Sequence, residues 1–114
     1  MELTFVQLSP FVSDWKRLGL GDDDLRALEA ELLKRPDAGP IIGGTGGLRK
    51  LRFAPPSRSG GKSGATRVIY GLFRGHKTVY LFLLYRKNEQ GNLTPKQKIQ
   101  CRKLVNEIRA ILDR

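Results

Sequence analysis

Between Ala38 and Asn88 the sequence has no aspartate and no glutamate. Ten cations lie in the same stretch: Arg49, Lys50, Arg52, Arg58, Lys62, Arg67, Arg74, Lys77, Arg86 and Lys87. The other 11 of the chain's 21 Lys and Arg are balanced by its 11 acids, so the whole net charge of +10 sits here. A solvated surface normally mixes its signs; a one-sign field points to a polyanionic partner, most simply nucleic acid, or else to an acidic protein. Other residues are scarce as well. One cysteine, Cys101, cannot close a disulfide within the chain, which fits a reducing cytoplasm. One histidine, His76, falls at an expected turn, and no His, Cys, Asp or Glu cluster has the spacing of a metal site. No apolar run approaches the roughly 20 residues that a membrane helix requires. The start, "MELTFVQLSP", does not read as a signal peptide. Gly60-Gly61-Lys62-Ser63 lacks the first glycine of a phosphate-binding P-loop at the required spacing.

What is present fits one domain over residues 1–114. Residues 2–8 alternate in polarity and read as a short strand, and residues 11–18 as a short helix. Asp22 to Asp24 open a second helix that carries Leu25, Leu28, Leu32 and Leu33 as its buried stripe and stops at Pro36. Strands are expected over 48–54, 66–73 and 77–85, the last two joined by a tight hairpin at Gly75-His76. The third of these is almost wholly apolar, so it belongs inside the sheet and is covered on both faces. Thr94 and Pro95 open a C-terminal helix with Cys101, Leu104, Val105, Ile108, Ile111 and Leu112 on its inner stripe. On that stripe Cys101 reads as packing, not as a nucleophile. The order β-α-α-β-β-β-α makes an α+β domain, with two N-terminal helices and one C-terminal helix on a small, mostly antiparallel sheet.

Side-chain parity sorts the cations. In "LRKLRF", Leu51 and Phe53 share one face of the strand, and Lys50 and Arg52 share the other. In "TRVIY", Arg67 lies opposite in sense to Val68 and Tyr70. Paired as neighbours, these strands set Arg67 beside Lys50 and Arg52. Tyr85 and Lys87 share a face of the last strand. The loop over 54–65 would hang over the rim of that surface with Arg58 and Lys62. Arg67 interrupts an apolar strand, so it must face solvent, an acid or a phosphate.

"GGLRKLR", "GGKSGATRVIY", "YLFLLYRKNE" and "LT" opening the last helix follow one another in an order and spacing that resembles the RelE/ParE toxin superfamily of type II toxin–antitoxin operons, its HigB-like branch above all. The likeness runs over about residues 40 to 110. It implies the RelE-like fold and a ribosome-dependent endoribonuclease that cuts mRNA and so inhibits translation. It further implies metal-independent attack of a ribose 2′-hydroxyl on the adjacent phosphate, with no cofactor. On that reading Lys50 is the base or an electrostatic stabiliser, Arg52 and Arg67 hold the scissile phosphate, and Lys87 stabilises or protonates the leaving oxygen. Tyr85 is the fifth catalytic candidate. Arg49, Arg58, Lys62 and Arg86 are the expected RNA- or ribosome-binding cations. Two positions depart from the family pattern: Leu93 lies near the place of a functional tyrosine, and Asn88 near that of an arginine at the end of the last strand. The implied partners are the ribosome with its mRNA and a cognate antitoxin, expected to be a helix-turn-helix protein, with operator DNA reached only through their complex and no membrane involved. A ParE-like DNA gyrase inhibitor without nuclease activity shares the fold and stays open, as does an RNA-binding module without catalysis.

Overall fold

The computed structural model describes residues 2–58 and 66–114. Among these residues the chain runs β1 (Thr4–Gln7), α1 (Ser9–Arg17), α2 (Asp22–Lys34), β2 (Arg49–Phe53), β3 (Thr66–Phe73), β4 (Thr78–Arg86) and α3 (Pro95–Leu112), with single 3-10 turns at Pro56–Arg58 and Arg74–His76. The strands form one mixed sheet in the order β1-β4-β3-β2. β3 pairs antiparallel with both β2 and β4; β1 joins β4 in parallel, and the chain between those two passes through α1, α2, β2 and β3.

The sheet has helices on both faces. Phe11 and Trp15 of α1, Leu18 just past its end, and Leu28 and Leu32 of α2 pack on Leu51, Phe53, Val68, Tyr70, Leu81 and Leu84. Cys101, Val105 and Ile108 of α3 pack on Leu48, Ile69, Phe82 and Tyr85. With a helix layer on either side, β4 needs apolar residues at nearly every position, and this is why its sequence does not alternate.

A bulge in β4 sets the facing of the second half of that strand. Tyr70 opposes Leu81, whereas Ile69 opposes Leu83, so Phe82 is an extra residue. Phe82 and Leu83 both pack on the α3 side, and the alternation resumes one residue out of step.

The start of α3 agrees closely with the sequence. Thr94 Oγ1 accepts the Gln97 N–H, and the Gln97 side chain accepts the Thr94 N–H. At α2 the cap is Gly21, whose N–H is accepted by Asp24. Three expectations are corrected. The connection between β3 and β4 is a 3-10 turn ended by Lys77 in the left-handed conformation (φ 49°), so four residues separate the paired Phe73 and Thr78 in place of a two-residue turn. Leu33 and Ile111 are exposed (40% and 60%): each lies at the edge of its helix stripe, past the reach of the sheet.

Candidate functional site

β2 turns Leu51 and Phe53 to α1 and α2 and therefore turns Lys50 and Arg52 to the α3 side. The register sets Arg52 directly opposite Arg67, and Arg67 directly opposite Tyr85. A row Arg52–Arg67–Tyr85 thus crosses three strands, with Lys50 beside it, opposite Ile69. Tyr85 reaches this row only through the bulge. Without the extra residue at Phe82 the register of Tyr70 with Leu81 would continue and place Leu84 against Arg67.

Like charges opposed across strands repel one another. No ion pair relieves Arg52 or Arg67 among the described residues. The acids near the end of β4 are engaged elsewhere: Glu89 pairs with Arg17 at 2.5 Å and accepts the Arg86 N–H, and Asp14 accepts the Leu84 N–H and also pairs with Arg17. Arg67 is half-buried, and its Nη1 has no hydrogen-bond partner among the described residues; the same holds for the Tyr85 hydroxyl. Two adjacent polar groups, one of them charged, are withdrawn from water without compensation, which is costly. Tyr85 is 2% exposed. Burial pushes its hydroxyl pKa up against the opposing pull of the Arg67 charge, so the phenol is neutral and carries its proton at neutral pH.

A cleft of about 290 Å³ opens beside the row, lined by Lys50, Arg52 and Arg67 and walled by Ala38–Pro40. The wall is fixed. Lys50 N–H donates to the Pro40 carbonyl (3.1 Å), and the Tyr70 hydroxyl accepts from Gly39 N–H and donates to the Pro36 carbonyl. Gly39 is required here: a Cβ would stand 2.5 Å from the Lys50 carbonyl oxygen. On the other flank Lys50 Nζ donates to Asn92 Oδ1 at 3.3 Å, bringing the β4–α3 loop across the sheet. Leu93 is buried beneath that loop with the α3 core.

The remaining expected cations are not brought to the row. Arg49 faces the α1–α2 side and donates to the Asp37 and Gly39 carbonyls (3.1 and 2.8 Å). Arg58 and Arg86 both donate to the Leu18 carbonyl at the C-terminus of α1, where the helix dipole favours cations. The loop base that carries Arg58 is bound to α2, not to the cationic face. Asp24 accepts the Ser57 N–H (3.0 Å) and its hydroxyl (2.7 Å). Burial opposes the charge on Asp24, but these donors, with Gly21 and nearby Arg58, outweigh it and hold its pKa below the usual carboxylate range. Lys87 is exposed in the turn after β4. Lys62 lies outside the described residues. Asn92 was not expected at the site from the sequence; no local pattern marks a loop amide that meets a lysine 42 residues away. Cys101 is buried, which pushes its thiol up to about 11, and it serves as packing.

No protein-family model matches the sequence. Solved structures share its fold, two of E. coli proteins among them. The intact E. coli RelBE toxin–antitoxin complex holds a chain with 16% identity and a TM-score of 0.53, aligned over 75% of this chain and 96% of that one. A double arginine-to-alanine mutant of E. coli toxin RelE in the free state is 16% identical with a TM-score of 0.54, over 80% and 90%. The architecture is thus an α+β domain similar to RelE.

Proposed function

We propose that this chain is the toxin of a type II toxin–antitoxin pair, a cytoplasmic, HigB-like endoribonuclease that cuts mRNA on the ribosome. The observation that carries this reading is the Arg52–Arg67–Tyr85 row, two opposed guanidinium groups and a neutral phenol with polar atoms that have no partner among the described residues. A phosphodiester supplies what the row lacks: negative charge between Arg52 and Arg67 and acceptor oxygens for both Arg67 and Tyr85. The likeness to RelE, solved both free and in the RelBE complex, supports an antitoxin as partner.

The chemistry is dictated by the charge that develops. When the ribose 2′-oxygen attacks phosphorus, negative charge grows on the non-bridging oxygens, and Arg52 and Arg67 stabilise it. Lys50, on the same face, takes the 2′-hydroxyl proton as the free amine, or as the ammonium stabilises the oxygen that loses its proton to water. The 2′-O–P bond forms and the P–O5′ bond breaks, leaving a 2′,3′-cyclic phosphate and a 5′-hydroxyl. The departing 5′-oxygen takes its proton from the Tyr85 hydroxyl, since Lys87 stands exposed in the turn after β4, away from the row.

Brief expression in a bacterial host, with mapping of mRNA 5′ ends and their end groups, tests the proposal. Cuts within translated codons bearing 5′-hydroxyl ends are expected, together with growth arrest that a cognate antitoxin prevents. Intact mRNA with damaged replication forks would replace this reading with gyrase inhibition.

A further inference from the structure

A second cleft, of about 280 Å³, lies on the far side of β4 from Arg67, between α1 and the N-terminal turns of α3. Tyr85 lines it, together with the amides of Gln90, Gln97 and Gln100 and the apolar Leu104. The two clefts differ in charge. The first has Lys50, Arg52 and Arg67 on its walls, whereas the charged groups of the second are already engaged. Asp14 accepts the Leu84 N–H (3.1 Å) and pairs with Arg17, which also holds Glu89. The amides are only partly used: Gln90 Nε2 donates to Gln97 Oε1 and to the Asn92 carbonyl, and Gln97 Oε1 also accepts the Thr94 N–H. Among the described residues the Gln97 NH₂ group, the Gln90 carbonyl oxygen and the Gln100 amide have no hydrogen-bond partner. Between the clefts stands the buried Tyr85, whose hydroxyl has no partner among the described residues.

We infer that the cleft between α1 and α3 receives a nucleobase next to the phosphate held by Arg52 and Arg67, so that its glutamine amides set the base preference of cleavage. The inference rests on the RNA-cleaving reading above. The arrangement suits a nucleotide, whose phosphate is charged and whose base is neutral, planar and edged with donors and acceptors. Neighbouring strands are about 4.8 Å apart. A phosphate at Arg67 therefore has its attached base within reach of the next strand, β4, and of the cleft beyond it. Glutamine presents one donor and one acceptor together, the pairing that reads a base edge. The Tyr85 ring, 2% exposed and packed in the α3 core, offers a base no open face for stacking. Selectivity would thus come from the amides and not from the ring.

The probes are four non-cleavable dinucleotides with a 2′-deoxy sugar at the 5′ position, differing only in one base. Their binding is followed by NMR through the side-chain amide signals of Gln97 and Gln100 and the guanidinium signals of Arg52 and Arg67. All four are expected to shift the arginine signals. The preferred base should also shift the glutamine amides and bind about 5- to 150-fold tighter than the worst, the range of one good two-point base contact. Gln100→Ala should bring the four affinities within a few-fold of one another, and Leu104→Trp, which fills the cleft, should do the same. Arginine shifts with silent amides and equal affinities would overturn the base site and leave the proposed RNA cleavage standing. Absence of any shift, at arginine or amide, would overturn both.

Discussion

The two faces of the sheet use arginine in opposite ways. On the α1–α2 face Arg49, Arg58 and Arg86 direct their guanidinium groups to backbone carbonyls that helix ends and the connector leave open. There the charge closes the structure. On the α3 face Arg52 and Arg67 oppose each other, and Arg67 and Tyr85 keep buried polar atoms without partners among the described residues. The same residue type is a fastener on one side and an uncompensated charge on the other. Net charge alone would treat all of these arginines alike; what separates them is whether a carbonyl or carboxylate comes to meet them.

The largest effect that probes this contrast lies in the sealed face itself. Phe11 is fully buried and stacks on Trp15 at 5.2 Å, and Trp15 in turn on Phe53 at 6.3 Å. Phe11→Ala should cost about 3–5 kcal/mol in denaturant unfolding. A loss below about 1 kcal/mol would mean that this face is not the anchor of the fold.

Asp24 should matter next. Asp24→Ala leaves the Gly21 and Ser57 N–H groups without their acceptor and should cost about 1–3 kcal/mol. Its effect also depends on pH. The folded pKa lies below the unfolded value of about 3.9, so the contribution of Asp24 is present above that value and fades as pH falls through the folded one. Between about pH 4 and the acid limit, the wild type should lose stability more steeply than Asp24→Asn. Parallel acid titrations would remove Asp24 from the account.

The smallest stability effects separate the arginines. Arg49→Ala should cost about 0.5–1.5 kcal/mol, because two carbonyl contacts are lost. Arg52→Ala should be neutral or stabilising by a few tenths of a kcal/mol, because it removes like-charge opposition across β2 and β3. Thermal unfolding with and without added phosphate sharpens the difference. Phosphate should raise the Tm of the wild type and of Arg49→Ala more than that of Arg52→Ala.

Much of this organisation is legible in the sequence, and for definite reasons. The apolar run of β4 announces a strand covered on both faces, Thr94-Pro95 announces the start of α3, and alternation in "LRKLRF" places Lys50 and Arg52 together. The architecture shared with RelE rests on these elements. The pairing of Arg67 with Tyr85 was not legible, because it depends on a bulge inside a run of apolar residues that shows no break in pattern. Nor was the diversion of Arg58 and Arg86 to Leu18, since long side chains reach carbonyls that are 40 and 68 residues away. Edge positions such as Leu33 and Ile111 misled for a simpler reason: helical spacing sets the direction of a side chain but not whether anything lies opposite.

Cleavage on programmed ribosomes by Arg67→Ala and Arg49→Ala, each compared with wild type at equal folded concentration, tests the central contrast most directly. Loss of a charge-assisted phosphate contact that tightens in the transition state should slow Arg67→Ala by about 2–4 kcal/mol, or roughly 30- to 1000-fold, with an unfolding temperature close to that of wild type. Arg67→Lys should recover only part of the rate, since an ammonium cannot make the two-point contact. Arg49→Ala should cleave within a few-fold of wild type despite its lower stability. Normal cleavage by Arg67→Ala, or unfolding of that variant at a much lower temperature, would contradict the account and make the α3-face arginines fasteners like those on the other side.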